Sequence, residues 1–347
     1  MQLHAIYSEN TLQTYTHMKP QKLIPTFTAA LLAGALSTYA ADITWTGAVD
    51  TNYQTAGNWS SNTVPVTTGA DNAIIGGEVE YNPGGDYQLS TGSSLTINSG
   101  GSWTQITGPA YIVVNGGTLN LNGGSFSTGS STGFVIGENG GTFNVSGTLN
   151  MGSLGLNLNA NSTLNYDEGG NIIGTFNQGA GNVNILGGTL NTSGNYTINS
   201  ADAAFSMTGG NFTLDGEFKP LAGTSTISGG TLTANLISFD GTDSTLNLAG
   251  GQIHILNNAF QGIYAGGDAY INFTTVSGSL LIDGLDENGA NTLLASGRLR
   301  YNGVNENIIA TATGTGYSFS AVPEPSSFAL LGGALALGFT MARRRRA

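Results

Sequence analysis

The strongest constraint on this chain is a glycine pair that keeps returning. From Gly187 the pair recurs at Gly209, Gly229 and Gly250, at spacings of 22, 20 and 21 residues. Between the pairs lie short runs of alternating character: Val183-Asn184-Ile185-Leu186, Ala204-Phe205-Ser206-Met207, Thr226-Ile227-Ser228 and Leu246-Asn247-Leu248. Earlier turns of the same pattern are Thr118-Leu119-Asn120-Leu121-Asn122 before Gly123-Gly124 and Thr142-Phe143-Asn144-Val145 after Gly140-Gly141. Period-2 alternation sends Leu, Ile, Val, Phe and Met to one side of a strand and Thr, Asn and Ser to the other. A glycine pair turns the corner, because glycine takes positive φ without steric cost. One such unit cannot bury its own apolar side, but a stack of them at ~4.8 Å spacing can. A repeat of 20 to 22 residues is therefore the signature of a solenoid. The rival reading is a series of two-residue hairpins forming antiparallel meanders; the regular period favours parallel stacking.

Composition narrows the class. Glycine accounts for 54 of 347 residues and charged side chains for only 9%, against roughly 25% in ordinary globular chains. Disordered chains are poor in β-branched and aromatic residues, whereas Thr, Ile, Val, Tyr and Phe recur here at alternating positions. Helix signals are nearly missing between Ala41 and Ala321. The expectation is an all-β fold, a single-stranded parallel β-helix with β caps.

The two ends carry different signals. After a polar stretch at 1–17, read as an upstream extension, Met18 opens a basic segment, Lys19-Pro20-Gln21-Lys22. An apolar run from Leu23 to Leu36 and the small-residue site Thr38-Tyr39-Ala40 follow, predicting a secretory signal peptide over 18–40 cut between Ala40 and Ala41. At the other end, Val322-Pro323-Glu324-Pro325 breaks any regular element. Phe328 to Ala342 is uncharged, and Arg343-Arg344-Arg345-Arg346 follows. Fifteen helical residues reach ~22 Å, short of the ~30 Å hydrocarbon core unless the flanking serines and snorkelling arginines are included. A C-terminal transmembrane helix is expected, with the arginines on the cytoplasmic side.

This order of proline box, apolar segment and arginine cluster resembles the PEP-CTERM sorting signal of exported bacterial proteins. The resemblance implies recognition and processing by an exosortase-type membrane protease as a transient partner. It also implies membrane anchoring through the C-terminal helix during sorting, then placement at the cell surface or in the extracellular matrix. Near the start of the body, Trp45-Thr46-Gly47, Asn58-Trp59 and Val64-Pro65 resemble the entry of autotransporter-like and PEP-CTERM repeat proteins. A cap that shields the first coil is expected there, in preference to an aromatic sugar-stacking site. The predicted organisation is thus an N-terminal β cap at 41–88, with Ala70–Gly77 as the first strand of the stack, and repeats at 89–256. A C-terminal β cap at 257–321 and the sorting signal at 322–347 complete it. Within the repeats, 152–170 is expected to bulge as a loop around Asp167-Glu168. Gly284–Ala295 is expected to be a polar loop ending in a short apolar patch.

Charge and chemistry exclude several functions. Between Ala41 and Ala321 three bases (Lys219, Arg298, Arg300) face 19 acids, a net of −16. A body this acidic does not bind nucleic acid, whose phosphates need basic partners. With no cysteine there is no disulfide framework, thiolate metal site or thiol nucleophile. His254 is the one histidine of the body and alternation puts it on the outer side, without a Ser-His-Asp set. Carboxylate pairs occur at Glu78 and Glu80, at Asp240 and Asp243, and at Asp283, Asp286 and Glu287; in an acidic, turn-rich chain such pairs arise freely. Asp286-Glu287-Asn288-Gly289 departs from the calcium-loop order. Arg298 and Arg300 are the only candidate bases for lyase chemistry. No catalytic, cofactor-binding or metal residue is therefore assigned and no enzymatic activity is expected. The expected role is a structural or adhesive surface protein. The alternative is a carbohydrate-binding or carbohydrate-active protein, with an extracellular polysaccharide as partner and Trp103, Tyr111 and Tyr264 as exposed stacking rings.

Overall fold

The computed structural model describes residues 41–323, apart from 83–84, 107–110, 130–132, 138, 152–154, 173, 241–242 and 266. The expected signal peptide, the cleavage-site residue Ala40, Glu324, Pro325, the apolar segment 328–342 and Arg343–Arg346 lie outside the described residues. Among the described residues no helix is long and apolar enough to cross a membrane; the expected C-terminal transmembrane helix falls on 328–342, outside them.

The body is a parallel β-solenoid with three faces. A coil in the middle of the stack runs through Gly181–Ile185 on the first face, Thr189–Thr192 on the second and Tyr196–Ile198 on the third. The next coil repeats this with Ala203–Met207, Asn211–Leu214 and Glu217–Pro220. Each strand pairs in parallel with its counterpart one coil on: Gly181–Ile185 with Ala203–Met207, Thr189–Thr192 with Asn211–Leu214, and Tyr196–Ile198 with Glu217–Pro220. Nine described strands form the third face, giving about eight turns. Parallel pairing rules out the hairpin-meander alternative for the repeats.

Strict register turns the alternation of the sequence into columns. Leu95, Leu119, Phe143, Leu164, Val183 and Phe205 stack inside the first face, all fully buried or nearly so. On the outer side of the same strands, Asn120, Asn144, Asn165 and Asn184 form a ladder. Each amide donates to the previous one, at 2.8 Å for Asn144 to Asn120, Asn165 to Asn144 and Asn184 to Asn165. The polar side is thus held by the same repeat that fills the core. Fully burying one Leu or Ile contributes roughly 1.5–3 kcal/mol, and the inner columns supply this at every coil.

The corner glycines have two separate reasons to be glycine. The second of each pair has positive φ: Gly188 +65°, Gly210 +72°, Gly230 +75° and Gly251 +67°. The corners also stack directly on one another, so a Cβ at Gly251 would stand 2.6 Å from the carbonyl oxygen of Gly230. A side chain is excluded by the coil beneath as well as by the backbone angle.

Three expectations need correction. Of the stretch 152–170, the described residues from Gly155 on do not bulge out of the stack. Leu156–Leu158 and Ser162–Tyr166 keep parallel register with both neighbours. Asp167-Glu168 instead occupies the corner, directly under Gly187-Gly188. Glycine at 170 completes the accommodation: a Cβ there would stand 3.1 Å from the Tyr166 hydroxyl, which donates to Thr189 O at 2.7 Å. Second, stacking begins before Ala70: Asp42–Thr44 pairs in parallel with Asn72–Ile74. Third, Gly284–Ala295 is not a loop. Glu287–Ala295 is an α-helix, with Asp286 as its N-cap accepting from Gly289 N at 2.7 Å. Ala290 and Leu293 point into the core, so the Asp-Glu-Asn-Gly run is a helix start and not a calcium loop.

Candidate functional site

Four places on the molecule gather groups that could act. The first is where the fold ends. Gly316–Ala321 runs antiparallel between Ser279–Asp283 and Ile308–Ala312, which stops the parallel stack. Ala321 is buried, Val322 N donates to Asn307 O at 2.8 Å, and Pro323 is exposed. The last strand is therefore anchored through its own final residue, Ala321, while the first proline of the Pro-Glu-Pro box is exposed. Of the expected sorting residues the structure places Val322 and Pro323.

The second is a cleft of about 600 Å³ at the N-terminal end, lined among others by Trp45, Thr46, Asp50, Thr51, Glu78 and Asn98. The segment over it is held by Asn58, which is fully buried. The Asn58 side-chain oxygen accepts from Val49 N (2.8 Å) and Asp50 N (3.1 Å), and its amide donates to Asp50 Oδ1 (2.5 Å) and Asn52 O (3.0 Å). Beside it Trp59 Nε1 donates to Tyr53 O at 2.8 Å. The Asn-Trp dipeptide is thus a structural nail, as a cap requires. The Asn58 amide holds the Asp50 carboxyl below its usual range, so Asp50 is a carboxylate at neutral pH and not a proton donor. Glu80 points the same way as Glu78 but accepts from Thr51 Oγ1 at 3.0 Å. The cleft offers hydrogen bonds to a hydroxyl-rich ligand and no acid–base pair. The meeting of Asp50 with Glu78 at the cleft was not visible in the sequence, since 28 residues separate them; the Asn-Trp dipeptide was the only hint.

The third is His254. Its Nε2 lies 2.9 Å from Asp283 Oδ2, while Thr315 Oγ1 donates to Asp283 Oδ1 at 2.6 Å. The Thr315 bond is the largest influence and lowers the pKa of Asp283; burial opposes it, and the bond and charge of His254 add to the lowering, which prevails. The carboxylate is the hub, and no described hydroxyl is bonded to the imidazole. The arrangement ties the outer side of Gln252–Ile255 to the C-terminal strands and does not build a nucleophile.

The fourth is the arginine pair. Arg298 donates from Nη1 to Ile263 O (2.8 Å) and from Nη2 to Ala265 O (3.2 Å). Arg300 lies 3.9 Å over the Tyr270 ring and donates to Gly297 O. Both are committed to the fold. The other residues singled out from the sequence stay apart: Asp243 accepts from Asp268 N at 2.9 Å, and Asp240 is exposed in the same connection. Asp286 is spent as a helix cap. Tyr111 and Tyr264 are exposed (45% and 42%), but Trp103 is fully buried. It stacks on Tyr81 with centroids 4.9 Å apart and cannot be a sugar platform. The inward phase of Ser102–Gln105 is set by its parallel pairing with Glu78–Tyr81 on one side and Ser125–Ser127 on the other, which the short run alone does not announce.

Fold and chain exit together define a class: a parallel β-solenoid rod with an address appended beyond its last strand. Residues 321–346 match the family model of the PEP-CTERM protein-sorting motif. The chain therefore carries a PEP-CTERM signal on a solenoid body, which implies export, transient membrane anchoring and interaction with an exosortase. Comparison with curated proteins and with solved structures returns no match.

Proposed function

We propose that the chain is a non-enzymatic surface protein, sorted and cut through its tail and left in the cell envelope or the extracellular matrix as a structural or adhesive rod. The observation that carries this reading is the joint between rod and tail. The last strand is locked on both sides, and the next residue but one, Pro323, is free, so a membrane protease can reach the box without unfolding the rod. The bases point the same way. Lys219 pairs with Glu217 at 3.1 Å, and Arg298 and Arg300 are bound to backbone and ring, leaving the repeated Asn, Thr and Ser columns as the presented surface. The test is expression of the full chain in a host with and without an exosortase. Mass spectrometry should show loss of Arg343–Arg346 only where the protease is present, with the rod then open to labelling on intact cells. An uncut tail in both hosts, or a product confined to the cytoplasm, would sink the proposal.

A second reading, glycan binding, draws on the N-terminal cleft. Gly47 and Gly77 flank the indole of Trp45, a Cβ at Gly47 would stand 3.2 Å from its Nε1, and the mostly buried indole lines the cleft beside Thr46 and Thr51. Saturable binding on a glycan array, weakened by Trp45→Phe, would support this reading over simple display.

A further inference from the structure

A solenoid has six strand ends to protect, three faces at each end of the stack, because an unpaired edge is a template for another strand. At the N-terminal end all three are met by the chain itself. Ser60 N donates to Thr44 O on the first face, Tyr53 N to Glu80 O (3.0 Å) and Glu80 N to Thr51 O (2.7 Å) on the second, and Ser90 N to Thr67 O on the third. At the C-terminal end the third face stops at Ile263–Tyr264, where the Arg298 guanidinium covers the carbonyls of Ile263 and Ala265. The first face stops at Leu299–Tyr301. There Tyr301 and Val304 exchange backbone bonds, and the Asn305 amide, oriented to donate, lies 3.1 Å from Leu299 O.

The second face ends differently. Ser279–Asp283 is covered by Gly316–Ala321, which is covered by Ile308–Ala312, and among the described residues no further strand pairs with that edge. Val322 N donates to Asn307 O and Thr313 N to Gly316 O, so bonded pairs fall at odd positions of this strand. Antiparallel pairs alternate, so Ile308, Ala310 and Ala312 turn their N–H and C=O groups outward. Among the described residues these groups have no hydrogen-bond partner. The strand, Ile-Ile-Ala-Thr-Ala, contains no charge and no proline, and the helix Glu287–Ala295 that lies near it bonds none of its outward backbone groups. Ile309 is 46% exposed.

We propose that Ile308–Ala312 is a pairing edge for a second copy of this chain, joined antiparallel about a two-fold axis through Ala310. The register is self-complementary. Ile308 bonds Ala312 of the second copy, Ala310 meets its own counterpart, and the exposed Ile309 packs against Thr311 across the axis. The charge pattern selects this strip, because the rest of the body is strongly acidic and would repel a copy of itself. In this register Glu306 faces Gly314, not another carboxylate. A five-residue strand pair buries less than the ~1,200 Å² of a standard interface, so the expected dissociation constant is on the order of micromolar, strengthened when copies share one membrane.

Sedimentation of the full chain in mild detergent tests this. Between about 1 and 100 μM the wild type should shift from monomer to a species of twice the mass. Ala310→Pro removes only an outward N–H, a substitution that edge strands accept, and should remain monomeric with an unchanged melting temperature. A wild type that stays monomeric throughout, or an Ala310→Pro chain that dimerises equally, overturns the proposal. A second arm, independent of the effect of proline on the strand, uses the absence of cysteine. Residues facing across such a pair have Cα atoms ~5.5 Å apart, within disulfide range. Ala310→Cys should therefore cross-link on mild oxidation and Val304→Cys, exposed at the same end, should not. Equal cross-linking of both, or none at Ala310→Cys, refutes the two-fold pairing.

Discussion

The two ends of the rod solve one problem with different chemistry. The N-terminal end is closed by rings. Trp45, Tyr53, Trp59, Tyr81, Tyr87 and Trp103 are all buried, and Tyr53 sits at the centre, with Trp59, Tyr81, Tyr87 and Trp103 at centroid distances of 5.0 to 5.6 Å. The C-terminal end is closed by backbone and polar groups: two antiparallel strands, one capped helix, an arginine on carbonyls and the His254–Asp283–Thr315 cluster. The difference teaches where each end is vulnerable. Ring packing fails when volume or neutrality is lost; the polar closure fails one bond at a time.

The largest effect is therefore expected at the N-terminal end. Trp59→Ala removes a fully buried ring in edge contact with Trp45 and Tyr53 and leaves Tyr53 O without its indole donor. A loss of about 3–5 kcal/mol is expected. Because a solenoid is stabilised coil by coil, the loss should appear as early cleavage between 45 and 103 in limited proteolysis, with the C-terminal coils still protected. Uniform loss of protection along the rod would show that the ends are coupled and break the comparison.

Alkaline pH sharpens the same contrast without mutation. Burial raises the pKa of Tyr53 and Tyr87 above the ordinary phenol value and that of Tyr81 to about 12. A group with a raised folded-state pKa stabilises fully below its unfolded value, ~10, and loses that contribution as pH climbs through the folded value. Between about pH 10 and 12 the N-terminal end should open first, seen as cooperative tyrosinate absorbance together with proteolysis near the cap. Simple titration of the tyrosines with no opening would contradict the ring-closure account.

How much of this could be read beforehand follows from the kind of physics involved. The columns were legible, because alternation and the glycine period are local and repeat many times: Leu119 and Asn120 announce their sides by their neighbours alone. Asn58-Trp59 stood out in the sequence as a fixed point of the N-terminal end, though the bond from Asn58 to Asp50 did not. Trp103 was misplaced because a single short strand carries too little alternation to fix its phase. The helix at Glu287 was missed for a related reason. Its first turn, Glu-Asn-Gly, has poor intrinsic helix propensity, and what holds it is tertiary: burial of Ala290 and Leu293 and the Asp286 cap. Asp167-Glu168 looked like an insertion because only the stacked corner beneath Gly187 shows that it replaces a glycine pair.

At the C-terminal end the expected effects are smaller. Asp286→Ala deletes the bond to Gly289 N and should cost about 1 kcal/mol. Because the helix is only 9 residues long, its loss should be local: faster amide exchange over 287–295 with the coils unchanged. Recovery by Asp286→Ser but not by Asp286→Val would separate capping from packing.

The smallest effect concerns Asp283, whose pKa is lowered by the Thr315 hydroxyl and by His254. A carboxyl with a depressed folded-state pKa contributes stability that is complete above its unfolded value, near 4, and is lost as pH falls through the folded value. Acidification below about pH 4 should therefore loosen Ser279–Asp283 from the Thr313–Gly316 turn. Both partners are about a quarter exposed on their side chains, 26% for His254 and 28% for Asp283, so solvent screening keeps the pair to less than about 1 kcal/mol. Asp283→Asn should flatten the acid limb of stability by that small amount and leave the alkaline limb unaltered, since the tyrosine ring closure lies at the far end. A variant that also shifted the alkaline transition would show that the rod transmits strain along its whole length, and the two closures could no longer be treated as independent.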